Sequence, residues 1–112
     1  MPESFAQQVL QAVQSHSWIQ RIEHQIIGKV ARLRLFLADD RFVAIYYNAQ
    51  TSSTSYAYIE GEDRLFGANN MKIGWHIHPW GEEREHVKSK AVTIEEFLRL
   101  LHEALTKHCK LG

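Results

Sequence analysis

The hydrophobic positions at the start of the chain recur at helical spacing. Four apolar side chains lie on one side of this segment: Phe5, Val9, Leu10 and Val13. Their i, i+4, i+5, i+8 pattern is typical of an amphipathic helix packed against a core. Ser4 is a suitable N-cap, and the polar residues 15–17 mark the exit. The pattern predicts a helix over residues 4–15.

Between residues 18 and 78 the pattern changes to period-two alternation, with many β-branched and aromatic residues, which is typical of strands. In the clearest stretch, Ala31, Leu33, Leu35 and Leu37 alternate with Val30, Arg32, Arg34 and Phe36. The turn residues Asp39 and Asp40 separate this strand from the next predicted strand, residues 42–47. Predicted strands cover 18–27, 30–37, 42–47, 56–60, 64–67 and 71–78, with the longest loop at 48–55. We therefore expect five to six antiparallel strands.

The last predicted element is a helix with a well-defined start. Thr93 and Glu96 form a capping box, in which each side chain satisfies a main-chain N–H of the other. Helical spacing then continues through Ile94, Phe97, Leu98, Leu101, Leu105 and His108. The sequence thus predicts one α+β domain over residues 1–112. It should contain a single antiparallel sheet of five to six strands, with an N-terminal and a C-terminal helix packed on one face.

Composition narrows the class of protein. With 112 residues and 45% hydrophobic residues, the chain can bury a core, which excludes disorder and coiled coil. Thirteen basic residues balance thirteen acidic ones, so the net charge does not predict nucleic-acid binding. A local basic stripe that includes Arg32 and Arg34 is left as an alternative surface for phosphate contact. Cys109, the single cysteine, excludes an internal disulfide. No signal peptide or long apolar run is visible, so we expect a cytoplasmic protein outside the membrane.

Histidines concentrate in the segment 69–87, NNMKIGWHIHPWGEEREHV. On a strand, His76 and His78 point to the same side, opposite to Ile73, Trp75 and Ile77. Their Cβ atoms should lie roughly 6.5–7 Å apart, given about 3.3 Å of rise per residue. Both imidazoles can then bind one metal ion or act together as acid and base.

Other polar residues around this pair predict the rest of a site. His86 follows in an acidic loop and could return as a third imidazole, with Glu83 as a carboxylate ligand. Lys72, Arg64 and Arg84 are candidates to hold a substrate phosphate. Trp80, just after the strand, is a candidate for substrate or partner contact.

The order of several short motifs resembles the TumE family, small toxin-like proteins of prokaryotic type II toxin–antitoxin systems. The motifs are YAYIEG, RLFGANN, WHIHPWG, EHV and the TIEEFL start of the last helix, within roughly residues 25 to 108. Where the family usually carries an aspartate–asparagine pair, this chain has Asn69-Asn70. The resemblance implies a ribonuclease or growth-inhibiting activity and a helix-turn-helix antitoxin from an adjacent gene as partner. It implies no particular catalytic residues.

Three functions stay open at this point. The first, which the resemblance favours and which we take as the main prediction, is a toxin component that acts as a metal-independent endoribonuclease on RNA, with His76, His78 and His86 as acid and base. The second is a metal-dependent hydrolase or nuclease, in which these histidines and Glu83 hold a zinc-like divalent transition metal. The third is a non-catalytic protein-interaction module. Its candidate anchors are aromatic: Trp80, Tyr46, Tyr47 and Tyr58. The sequence also leaves open a homodimer.

Overall fold

Two helices flank a run of antiparallel strands in a computed structural model that describes residues 1–72 and 74–108. The elements are α1 (Pro2–Val13), β1 (Arg21–Ile27), β2 (Val30–Ala38), β3 (Arg41–Asn48), β4 (Ser53–Glu60), β5 (Asp63–Asn69), β6 (His76–His78), β7 (Val87–Lys88) and α2 (Ile94–Lys107). The α+β class and the antiparallel sheet are therefore confirmed.

The described residues form one sheet of seven strands in the order β1 to β7, each paired antiparallel with the next. The predicted count of five to six strands was too low. The additional strand is β7, which pairs His76 with Lys88 and Ile77 with Val87. Two residues are too few for period-two alternation to be visible in a sequence, and β7 forms because β6 offers a free edge.

Both helices cover the same face of the sheet. Phe5 of α1 stacks on Tyr47 with ring centroids 4.4 Å apart. Phe97 of α2 packs on Tyr56 and Phe66 at 5.0 and 5.5 Å. In the strand register, these three sheet residues share one face, together with the buried Leu33. We call this the core face and the opposite, uncovered side the open face.

Helix α1 begins two residues earlier than predicted, at Pro2 rather than Ser4, and ends at Val13. Proline is well suited to the first helical turn, because its fixed φ is helical and its missing N–H has no intrahelical partner there. The Phe5 N–H already donates to the Met1 carbonyl at 3.2 Å. Ser4 therefore lies inside the helix and is not its cap.

Three strand boundaries differ from the prediction. The segment 71–78 is not one strand, because Lys72 and Gly74 adopt positive φ angles of 67° and 86°, and only His76–His78 is extended. The predicted loop 48–55 shrinks to the turn 49–52, since β3 and β4 continue to Asn48 and from Ser53. The predicted strand at Trp18 starts at Arg21.

The capping box of α2 is confirmed, since Thr93 accepts from the Glu96 N–H and the Glu96 carboxylate accepts from the Thr93 N–H. Ile73, which was predicted to face the core, and Cys109 lie outside the described residues. Among the helices in the described ranges, none combines the length and apolar character needed to cross a membrane.

Gly67 is the residue of β5 that lies opposite His78, and it leaves no room for a side chain. A Cβ at this position would lie 2.9 Å from the main-chain oxygen of Tyr56. We expect Gly67→Ala to lower the free energy of unfolding by about 1–3 kcal/mol, because the strands must separate locally. Urea unfolding measures this, with Ser55→Ala on the same face as control. Equal stability of both variants would contradict the close strand approach.

Candidate functional site

The pairing of β5 with β6 places two histidines side by side on the open face. His76 lies opposite Asn69 and His78 opposite Gly67, whereas Ile77 between them lies opposite the buried Ala68. The imidazole centroids are 5.0 Å apart. The prediction that the two side chains share one side of the strand is confirmed. They are not surface residues, however: His76 is 3% and His78 7% exposed.

The segment after β6 folds back and brings in the third histidine. Pro79 cannot donate to the sheet and ends the strand, and Gly81 takes a positive φ of 73°. Two consecutive turns follow, in which Glu82 N–H donates to the Pro79 carbonyl and Glu85 N–H to the Glu82 carbonyl, both at 3.0 Å. His86 then lies 4.8 Å from His76 and 4.6 Å from His78, between ring centroids.

Main-chain hydrogen bonds determine which nitrogen of each buried imidazole carries the proton. Nδ1 of His76 lies 2.9 Å from the Gly74 carbonyl oxygen, and Nδ1 of His78 lies 2.8 Å from that of Glu83. Because a carbonyl oxygen only accepts, both Nδ1 atoms must be the donors. In the neutral rings Nε2 therefore carries the lone pair, and it is the atom available to a metal or a proton.

Asn69 contacts one of these lone pairs. Its side-chain Nδ2 lies 3.4 Å from Nε2 of His78, and since an amide nitrogen only donates, this geometry agrees with the same tautomer. The Asn69 side-chain oxygen in turn accepts from the Met71 N–H at 3.0 Å, which holds the amide in place. The Asn69 amide thus lies beside the Nε2 atom that a metal ion or a substrate proton would use.

The surroundings keep His78 neutral. Burial lowers the pKa of His78 below its usual value of 6.5, and the positive charges of His86, His76 and Arg64 act in the same direction. The hydrogen bond to the Glu83 carbonyl opposes this effect by favouring the charged ring. The net result is an uncharged imidazole near neutral pH, which is the form that binds metals and accepts protons.

The three histidines lie close enough together to hold a metal ion. One nitrogen from each of His76, His78 and His86 lies within 4.8 Å of the other two. Around a tetrahedral ion with bonds of about 2.0–2.1 Å, such nitrogens would be about 3.3 Å apart. His86 is exposed on its loop, so it has more freedom to move toward this spacing than the two buried rings have.

The histidines line a cavity on the open face. Its volume is about 530 Å³, and the remaining lining residues are Arg64, Asn69, Met71 and Lys72. Arg64 comes from β5, and Lys72 from the turn before β6. The cavity therefore combines three imidazoles with two cations, a combination suited to an anionic substrate.

Other residues predicted for the site lie elsewhere. The Glu83 carboxylate is not part of the histidine group, and this residue contributes its main-chain oxygen instead. Arg84 is exposed and does not line the cavity. Trp80 lies on the core side, where its ring stacks on Tyr58 at 5.8 Å and on His108 at 4.5 Å.

The aromatic anchors of the interaction-module hypothesis do not form one surface. Tyr58 is fully buried, and its hydroxyl donates to Glu60 at 2.8 Å. Tyr47 is covered by Phe5 of α1. Tyr46, by contrast, lies on the open face opposite Arg32. The structure thus separates Tyr46 from the other anchors by the thickness of the sheet.

Sequence reasoning missed Asn69, Met71 and the Gly74 carbonyl as parts of the site. Asn69 is brought to the histidines by the register of β5 against β6. The signal that could have identified it is the alignment of RLFGAN with HIH as neighbouring strands. The intervening turn hides this alignment, because Lys72 is a non-glycine residue with positive φ.

Comparison of the chain with protein-family models, with curated proteins and with solved structures finds no match.

The lowered pKa of His78 makes the stability of the metal-free protein depend on pH. Above the unfolded-state pKa of about 6.5, His78 is neutral in both states and has no effect. Below it the unfolded chain binds more protons, so stability falls until the pH passes the lower folded-state pKa. We expect urea unfolding in EDTA to show this loss, and His78→Gln to reduce it. His24→Gln, which replaces an exposed histidine in the same way, is the matched control. An unchanged profile in His78→Gln would contradict the neutral ring.

Proposed function

We propose that the protein is a metal-dependent phosphodiesterase, and that His76, His78 and His86 bind a divalent transition metal. The observation that carries this proposal is the pair of hydrogen bonds from Nδ1 to the Gly74 and Glu83 carbonyls. Metal-binding histidines commonly donate their second ring N–H to such an acceptor, which orients the ring and makes Nε2 a better ligand.

The donor set indicates the kind of metal. Neutral imidazole nitrogens suit zinc, copper, iron and nickel, whereas calcium and magnesium prefer oxygen ligands. Three protein ligands leave the fourth tetrahedral position for water, as in catalytic zinc sites. A metal bound here would lower the pKa of that water and so supply a nucleophile near neutral pH.

The cations of the cavity support a phosphate ester as substrate. Arg64 and Lys72 line the same cavity as the histidines. A guanidinium binds two phosphate oxygens at once, and an ammonium adds a point charge. Together they would hold a phosphodiester beside the imidazoles and stabilise the negative charge that grows in the transition state. Asn69 would donate to an oxygen of the substrate or of the bound water.

The resemblance to TumE-type toxins extends the proposal to RNA as substrate and to a toxin-like role. In that setting the partner would be a helix-turn-helix antitoxin from an adjacent gene. The cavity supports a role for the His76, His78 and His86 cluster in such a toxin, because its imidazoles and cations are the groups that RNA cleavage requires.

A second candidate is metal-independent cleavage of RNA, and the neutral state of His78 favours it. An uncharged Nε2 that faces the cavity can accept the proton of a 2′-hydroxyl group. His86, exposed at the cavity, would be the acid that delivers a proton to the leaving oxygen. Arg64 and Lys72 would hold the phosphate in the same way.

Metal binding is tested first by titrating EDTA-treated protein with Zn²⁺. We expect one ion per chain, because one nitrogen of each of the three histidines lies within 4.8 Å of the other two. His86→Ala should weaken binding at least 100-fold, about 3 kcal/mol, since it removes one of three ligands. This residue is exposed, so the variant should keep its fold. His24→Ala is the control, and equal zinc affinity of the two variants would exclude the proposed ligand set.

Activity separates the two candidates. With bis-p-nitrophenyl phosphate, which has no 2′-hydroxyl, we expect hydrolysis that EDTA abolishes and added Zn²⁺ restores. Arg64→Gln should lower kcat/KM about 10- to 100-fold, because it removes a charged contact to the phosphate. Hydrolysis of RNA alone, unchanged in EDTA, would instead support the metal-independent mechanism.

A further inference from the structure

We infer that the open face of the sheet binds single-stranded RNA and leads it to the histidine cavity. This inference rests on the proposed function, because it specifies the substrate of that site. It is carried by a surface that the catalytic proposal does not use, which we call the arginine face: Arg32, Arg34, Tyr46 and Phe42.

The open face is strongly basic although the whole chain has no net charge. Within the described part of the sheet, the register places five basic side chains and one acidic side chain on it. They are Arg21, Arg32, Arg34, Arg64 and Lys88, and Glu23. The carboxylate of Glu23 is paired with Arg21. Among the ion pairs of the described residues, none involves Arg32, Arg34 or Arg64. The excess charge is therefore available to a polyanion.

The arginines lie beside aromatic rings of the neighbouring strand. The guanidinium carbon of Arg32 is 5.1 Å from the ring centre of Tyr46, and that of Arg34 is 5.3 Å from the ring centre of Phe42. Both rings are partly exposed. Flat guanidinium and aromatic groups are the surfaces on which unpaired bases stack, and the arginines also contact phosphates.

The arginine face is continuous with the proposed catalytic cavity. A second cavity of about 620 Å³ contains Arg32 and Tyr46, and it shares Arg64, Asn69 and Met71 with the histidine cavity. Arg32, Tyr46, Ser55, Asn69 and His76 are successive neighbours across five strands. At about 4.8 Å per strand, Arg32 and His76 are about 19 Å apart. A ligand that reaches both must be a chain of several nucleotides.

Single-stranded RNA fits these features better than a duplex. In a duplex the bases are already stacked on each other, so the rings of Tyr46 and Phe42 would have no partner. The chain also lacks the excess of basic residues with which proteins bind duplexes without sequence preference.

The test is binding of a labelled ten-nucleotide 2′-O-methyl RNA in EDTA, followed by fluorescence anisotropy. Neither proposed chemistry can cleave this probe, because it lacks both the free 2′-hydroxyl and the metal. We expect the Arg32→Gln, Arg34→Gln double variant to raise Kd at least tenfold. The slope of log K against log salt should become shallower by about 1.4, since each phosphate contact contributes about 0.7.

Matched controls separate this binding from general charge effects. The double variant Arg99→Gln, Lys107→Gln removes the same charge from α2, on the covered side of the sheet, and should leave Kd unchanged. Tyr46→Ala should weaken binding at least fivefold and Tyr46→Phe should not, because stacking needs the ring alone. A duplex of the same sequence should bind at least tenfold more weakly.

Four results would overturn the inference. Three concern the probe: no binding, equal weakening by the two double variants, or equal affinity for the duplex. The fourth is an Arg32, Arg34 variant that binds RNA normally but no longer binds a helix-turn-helix protein from an adjacent gene, because the face is then a protein interface. Bis-p-nitrophenyl phosphate is too small to span the roughly 19 Å between His76 and Arg32, so it does not need the arginine face to bind in the cavity. Its hydrolysis therefore tests the proposed function separately, and each proposal can fail while the other stands.

Discussion

The hydrogen bonds that His76 and His78 donate to main-chain carbonyls are the constraint on which the site depends. They hold each ring in one orientation and one tautomer before any ligand arrives. Both rings are buried, so breaking either bond would leave a polar group unsatisfied at a cost of about 1–3 kcal/mol. The two Nε2 atoms are therefore presented to the cavity by the fold itself. Only His86, on an exposed loop, has freedom to adjust.

The fold supports this arrangement because the two faces of the sheet carry different kinds of side chain. The helices cover the core face, and Ile77 and Trp80 pack against that core on either side of His78. Trp80 is held between Tyr58 and His108. It thereby fixes the start of the segment that returns with Glu83 and His86. On β2 the open face carries the exposed Arg32 and Arg34, so no helix is needed to cover it there. On β6 the returning segment 79–86 takes the place of a helix, and the two histidines are buried.

Local patterns predicted much of this fold, and long-range pairing explains what they missed. Alternation is a property of neighbouring residues, so it correctly placed His76 and His78 on one side. The capping box of Thr93 is equally local. The burial of the two histidines, by contrast, depends on how the 79–86 segment folds back, and the position of Asn69 depends on strand register. Trp80 follows Pro79, where the extended strand ends, so alternation could not assign it to a face.

The distribution of charge shows why the net charge of the chain does not describe the open face. Arg32 and Arg34 alternate with buried leucines, so the same pattern that builds the core face lines up cations on the other. No excess of basic residues is needed for this. In the proposed function, the arginine face and the cavity each contribute part of the free energy of substrate binding. Contacts far from the reacting phosphate can hold a long substrate in place. The binding free energy that these contacts supply offsets the cost of orienting the scissile bond beside the imidazoles. For a substrate of several nucleotides such remote contacts add to those of the cavity, because a cavity of about 530 Å³ encloses only part of a chain that extends about 19 Å to Arg32.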